Sequence, residues 1–271
     1  MSLLWRDRYV AVLTPERAAL VRRRGRKGTF DLRLDAPCPA ATPAGAAAAL
    51  AELVKRPEVG RGNLTLLLSN HFVRYLLVPW RSEVRDPAEF AAFADICWDR
   101  TYGGDPARRV LRTAREKSGS PRLAAALDAD FLAALREAVS QSPLKLMSVQ
   151  PYLTAAFNRL GSAWRRRDFL FLVAEPDRTC LLAALGGAWK SVRAGSGGDS
   201  PENLSTFLER EIRLLGLDEG SMPPVFIHAP RQARLELPPC NGVMARSLPL
   251  PIPPSLADPA DSLLTMAMAV H

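Results

Sequence analysis

FLFLVAEPDRTCLLAALGGAWKSV, residues 169–192, reads as three short strands in succession: Phe169–Ala174, Cys180–Leu185 and Ala188–Val192. The polar stretch Gly195–Asp199 follows as a loop. Ser200 and Pro201 then cap a helix that carries Leu204, Phe207, Leu208, Ile212 and Leu215 on one face. A strand at Pro224–His228 completes the unit. The same order opens the chain. Tyr9–Leu13, Ala18–Arg22 and Phe30–Leu34 are strand-like, with turns at Thr14-Pro15-Glu16 and from Gly25 to Gly28. Thr42 and Pro43 start an Ala-rich helix that runs to Lys55, and Leu64–Leu68 is the strand after it. A strand-strand-strand-helix-strand unit that occurs twice predicts a duplicated α/β fold. Two similar lobes then face each other across a cleft, the usual place for a ligand.

Between the two units the sequence predicts a strand at Phe72–Val78, stopped by Pro79. Asp86 and Pro87 cap a helix with Phe90, Phe93, Ala94 and Cys97 on one face, ending near Tyr102-Gly103-Gly104. Strands at Arg109–Ala114 and Leu123–Leu127 precede a helix capped by Asp130, with Phe131, Leu135 and Val139 in register. Leu144–Val149 is a strand, and Pro151 opens a helix with Leu153, Phe157 and Leu160 inward. Met244–Leu248 is a late strand, and a final helix covers Asp258 to Val270. The expected division is a first lobe at 1–160, with 80–142 as an inserted subdomain, and a second lobe at 161–271.

With 271 residues, 48% of them hydrophobic and 24% charged, the chain is neither disordered nor a membrane bundle. The net charge of +8 lies wholly within residues 1–150, which argues weakly for an anionic partner. Leu64–Trp80, the best apolar stretch, is interrupted by Asn70, His71 and Arg74, so no membrane span is expected. The opening MSLLWRDRYV has no apolar segment of the signal-peptide kind. Cys38, Cys97, Cys180 and Cys240 show neither CxxC nor zinc spacing, and read as reduced thiols of a cytoplasmic protein.

No catalytic motif of the GxSxG, HExxH or Walker kind occurs. His71 reads as a polar turn residue, and His228 as a hydrogen-bonded histidine at a strand end. The basic run Arg22 to Lys27 is either a solvated hairpin tip or a contact for anionic lipid headgroups. Arg165 to Arg167 reads as an interlobe linker. Neither run has the interleaved aromatics of a single-strand nucleic-acid platform. Arg74 is expected in a structural ion pair. Trp80 and Trp98 are either core or the lining of a groove for a partner peptide. Arg74, Trp80 and Trp98 are therefore the candidate partner-binding residues.

The duplicated topology resembles the actin-like, RNase H-like fold. Phe72-Val-Arg-Tyr-Leu-Leu-Val-Pro79 with the helix after it, and Leu144 to Phe157, resemble the PilM proteins of type IV pilus assembly. They equally resemble the cytoplasmic domain of GspL, from type II secretion. Ala267 to Val270 is similar to the closing helix of those families, without its glycine. The resemblance implies two Gly-rich phosphate hairpins of the D-x-G-x-x-S/T type around ATP and Mg²⁺. Here the first hairpin, Val12 to Arg17, and the second, Val173 to Thr179, each have proline and no glycine. Glycine lets backbone N–H groups approach a phosphate, and proline removes a donor. Thr14, Glu16, Asp177 and Thr179 are then vestigial phosphate-loop positions. The turn His228-Ala229-Pro230 likewise lacks the glycines of an adenosine loop.

The resemblance thus implies a scaffold without ATPase activity, metal or cofactor. It would lie on the inner-membrane face and bind the cytoplasmic tail of a PilN-like membrane protein. A secretion ATPase as second partner and a homodimer stay open. The alternative is an ATPase whose phosphate loops have diverged. A nuclease of the RNase H-like class would need carboxylates on its first strand, and Tyr9–Leu13 has none.

Overall fold

The computed structural model describes residues 7–25, 29–84, 86–161, 168–232, 235–252 and 261–270. The first half runs β1 (Asp7–Leu13), β2 (Arg17–Arg24), β3 (Thr29–Pro37), α1 (Pro43–Val54), β4 (Gly62–Leu68), β5 (Arg74–Val78) and α2 (Pro87–Tyr102). A 3-10 turn at Pro106–Arg108 leads to β6 (Arg109–Thr113), β7 (Arg122–Asp128), α3 (Ala129–Ser140), β8 (Leu144–Pro151) and α4 (Tyr152–Arg159). The second half runs β9 (Phe169–Glu175), β10 (Arg178–Leu185), β11 (Ala188–Gly195), α5 (Pro201–Leu215), β12 (Val225–His228), β13 (Arg246–Ser247) and α6 (Ser262–Ala267).

Two five-stranded sheets have matching orders, β3-β2-β1-β4-β8 and β11-β10-β9-β12-β13. In each, the first strand of the unit is antiparallel to the second and parallel to the strand after the helix. The repeated unit read from the sequence is thus the skeleton of both lobes. Strand β9 shows why it reads as an unbroken apolar run. Phe169, Phe171 and Val173 enter the main core, shared with β1 and α4. Leu170, Leu172 and Ala174 face the other way, into a second core under α5. A strand covered on both faces has no polar side to show.

Local capping follows the sequence with one correction. Thr42 Oγ1 accepts from Gly45 N at 3.1 Å, Ser200 caps α5, and Asp86 makes a capping box with Glu89. The cap of α3 is Asp128, which accepts from Phe131 N at 2.9 Å, and not Asp130. Strand β7 runs straight into the helix, so Asp130 already lies in the first turn. Two other elements are shorter than expected. Only Arg246–Ser247 pairs at the edge beyond β12, with Pro249 close behind. The final helix is described over Ser262–Ala267, and the expected start at Asp258 lies outside the described residues, as do Arg26, Lys27 and Arg165 to Arg167.

The strand expected at Phe72–Val78 begins at Arg74 and leaves the main sheet. It joins a small sheet, β5-β7-β6, covered by α2 through Val78, Ala94 and Ala124. Helix α3 returns to the first lobe and packs on α1. Helix α6 also belongs there: it packs on β1 and β2, and Asp261 at its cap ion-pairs with Arg33 of β3. All four cysteines are free thiols, Cys180 and Cys240 buried and the other two half-buried. No described helix is long and apolar enough to cross a membrane.

Gly62 lies where β4 passes under the Tyr9 ring; a Cβ there would sit 2.6 Å from Tyr9 Cε2 and 2.6 Å from the Asp7 carbonyl oxygen. Gly62→Ala is therefore expected to cost about 2 kcal/mol, as overpacked core positions do. Chemical denaturation measures it, and an unchanged midpoint refutes the steric reading.

Candidate functional site

The β1–β2 and β9–β10 turns approach each other at the floor of a cleft of about 1270 Å³. The end of β4 and the C-terminal end of α2 add to its walls. Of the four vestigial phosphate-loop positions, Thr14, Glu16 and Asp177 line it, whereas Thr179 is buried in β10. Thr14 is held by its own turn: its hydroxyl donates to Arg17 O at 2.8 Å. Asp177 closes the second turn in the left-handed region, at φ 56°.

Glu175 is the central residue of the floor, and it was not among the residues singled out from the sequence. It is 1% exposed, at the end of β9. Ser69 Oγ lies 2.5 Å from its Oε2, and Asn70 N donates to its Oε1 at 2.9 Å. Both donors come from the turn after β4, so this carboxyl group joins the two lobes. Asn70 is fixed in turn, because its Oδ1 accepts from Tyr75 OH at 2.6 Å and from Leu153 N at 3.0 Å. His71 Nδ1 sits 2.9 Å from Ser69 Oγ. The order of groups is imidazole, hydroxyl, carboxyl. A nucleophilic triad needs the imidazole in the middle, and Ser69 is fully buried, so this is not acyl-transfer machinery. A sequence signal for the contact existed: an acid placed at the end of an otherwise apolar strand.

Burial pushes Glu175 up to about 7, against the opposing pull of the Ser69 and Asn70 hydrogen bonds and of Arg178. Burial and Arg178 push His71 down, with Asp177, Glu16 and the Pro176 carbonyl opposing. Deeper between the lobes, Tyr152 OH is 2.6 Å from His228 Nε2, and His228 Nδ1 is 2.8 Å from Leu248 O. Nδ1 therefore carries the hydrogen and Nε2 accepts from the tyrosine. Burial brings His228 down to about 4, which keeps it neutral. It is the hydrogen-bonded strand-end histidine that the sequence predicted.

The three partner-binding candidates separate. Arg74 is exposed and makes no ion pair with a described residue, which corrects the expectation. Its guanidinium lies 5.5 Å from the centroid of the Tyr102 ring instead, because β5 runs beside the end of α2. Trp98 is 4% exposed, 4.6 Å from Tyr102 by ring centroids, with Arg109 over its ring. Asp95 and Asp99 hold Arg109 at 2.9 Å each. Arg74 and Trp98 both reach the cleft, and Trp80, 43% exposed, is not part of its lining. Arg108, Arg178 and Arg231 add to a cationic rim. Among the described residues no group of three or more His, Cys, Asp or Glu side chains is placed to hold a metal. Among the described residues of the basic β2–β3 hairpin, Arg22 makes a bidentate pair with Asp31, at 2.7 and 3.0 Å.

Two lobes of matching strand order, with a hairpin from each at the floor of the cleft between them, define an actin-like fold. Solved structures agree. A chain of the PilM–PilN type IV pilus biogenesis complex matches with a TM-score of 0.63 at 16% identity, over 96% of both chains. The cytoplasmic domain of EpsL, an inner-membrane component of the type II secretion system of Vibrio cholerae, matches with a TM-score of 0.64 at 12% identity. That match covers 96% of this chain and 94% of the other. A Bacteroides thetaiotaomicron protein with an actin-like ATPase fold and unknown function matches with a TM-score of 0.57 at 7% identity, over 83% and 81%. No family model and no curated protein matches the sequence.

The raised Glu175 has a sign. The folded protein holds that proton more tightly than the unfolded chain, so stability is greatest below about 4.5 and is lost as pH rises through about 7. The loss is expected to be of the order of 3 kcal/mol. Glu175→Gln should remove this slope in denaturation curves taken across pH. An identical slope in the variant would assign it to other groups.

Proposed function

We propose that this chain is a non-catalytic assembly protein of a type IV pilus or type II secretion platform. In this reading it works on the cytoplasmic side of the inner membrane and binds the short tail of a PilN-like membrane partner, which recruits it there. The observation that carries the reading is the contact of Glu175 with Ser69 and Asn70. In an ATPase of this fold the two hairpins are expected to leave room for phosphates and Mg²⁺. Here both carry proline without glycine, and an acid of one lobe is bound by donors of the other. Protein binding needs no phosphate chemistry. The match over nearly the whole chain to a component of a PilM–PilN complex supports a PilN-like tail as the first partner to test.

A second reading, an ATP-binding protein with diverged hairpins, draws on the cationic rim of Arg74, Arg108, Arg178 and Arg231. Calorimetry with ATP and Mg²⁺ separates the two. The scaffold reading expects no heat, and micromolar binding would establish the other.

Fluorescence anisotropy with labelled synthetic tails of the pilus and secretion membrane proteins from the same genome tests the partner. One tail is expected to bind at micromolar Kd, and Arg74→Gln to weaken it roughly tenfold, about 1.4 kcal/mol. Trp80→Ala tests the surface outside the cleft. Failure of every tail to bind overturns the reading.

A further inference from the structure

We propose that Glu175, Ser69 and His71 form a proton-operated clasp between the lobes, closed while the Glu175 carboxyl group is protonated and released when it ionises. Geometry is the first support. The clasp joins the turn after β4 in the first lobe to the C-terminal end of β9 in the second, and both Ser69 and Glu175 line the cleft. Glu175, Ser69 and Asn70 are each no more than 1% exposed. A charge at this position has lost its water, and a carboxylate there must be compensated or expelled.

Compensation is thin. The titratable groups around the carboxyl are His71 from the β4–β5 turn, Tyr75 from β5, Tyr152 from α4, and Arg178 and Cys180 from β10. Burial keeps the tyrosines and the cysteine neutral, and holds His71 down. Arg178 is the one cation of the set, and its buried Nε has no hydrogen-bond partner among the described residues. A neutral carboxyl group, by contrast, completes a chain. Ser69 Oγ is within reach of both neighbours: its hydroxyl donates to Oε2 of the carboxylate, and turns to His71 Nδ1 when the carboxyl O–H donates to Oγ instead. His71 is half-buried and lines the cleft, so the proton leaves from Glu175 through Ser69 and His71 to solvent in the cleft. Ionisation reverses the Glu175–Ser69 bond and leaves a charge without water, which is relieved by opening. The proposal holds whichever ligand the cleft receives.

Amide hydrogen exchange on the full chain at pH 5.5, 7.0 and 8.5, corrected for the chemical exchange rate, tests it. The Asn70 and His71 amides are expected to lose protection about tenfold between the lowest and highest pH, while β1 and β4 interior amides keep theirs. Glu175→Gln should stay protected throughout, since an amide cannot ionise. Ser69→Ala removes a bond that favours the carboxylate, and should move the transition to higher pH. A flat profile in the unsubstituted protein overturns the clasp, as does an equal fall in Glu175→Gln. Should Glu175→Gln not fold, an unmoved transition in Ser69→Ala overturns it alone.

Discussion

A carboxyl group with almost no water contact must be given donors or a proton, and Glu175 has claims to both. That constraint organises the centre of the molecule. The donors come from the turn after β4, and the turn is held because Asn70 is itself bound by Tyr75 and by the Leu153 amide in the first turn of α4. One side chain at the end of β9 thus fixes the position of β4, β5 and α4 relative to the second lobe. Deeper in, Tyr152 and His228 make a second polar crossing that is neutral throughout. The aromatic cluster of Phe157, Phe169 and Trp189 supports the same crossing by apolar contact. The lobes are therefore joined by an apolar part, by the neutral Tyr152–His228 crossing, and by the Glu175 contact, the one part of the three that turns on a proton.

Much of the fold was legible because the determining signals are local. Runs of β-branched and aliphatic residues of strand length, proline at helix starts and polar caps recur in the same order in both halves. Those features also fix the sheets, since a meander followed by a helix and a parallel strand has few ways to close. The misreadings have local causes too. Asp128 and Asp130 are equally good caps in sequence, and only the length of β7 decides between them. The strand at Arg74–Val78 looks like its neighbour Gly62–Leu68, but pairing partners are a property of the whole chain.

The site was less legible, for a physical reason. Sequence shows which donors have been lost from the hairpins, because glycine and proline act on their own backbone. It does not show which groups have come together, because Glu175 and its partners are 105 and 106 residues apart. Arg74 illustrates the same gap. An arginine on a strand suggests a carboxylate partner, yet its neighbour in space is the Tyr102 ring. For Trp80 and Trp98 the sequence leaves the same choice between core and groove, and in the fold they are opposite in exposure.

Helix α6 packs on the first two strands of the chain, and Leu263, Leu264, Met266 and Met268 belong to the same core as Val12, Leu13 and Leu20. During synthesis this has a temporal meaning. The first lobe cannot complete its interior when its own residues have left the ribosome. It must wait until the second lobe and residues 261–270 have followed, with apolar faces of β1 and β2 uncovered in the meantime. Contacts this distant in sequence delay folding, and exposed strands invite aggregation. A chain built this way leaves that apolar surface uncovered for most of its translation, and cutting it after α5 is expected to yield an insoluble first lobe, not an independent domain.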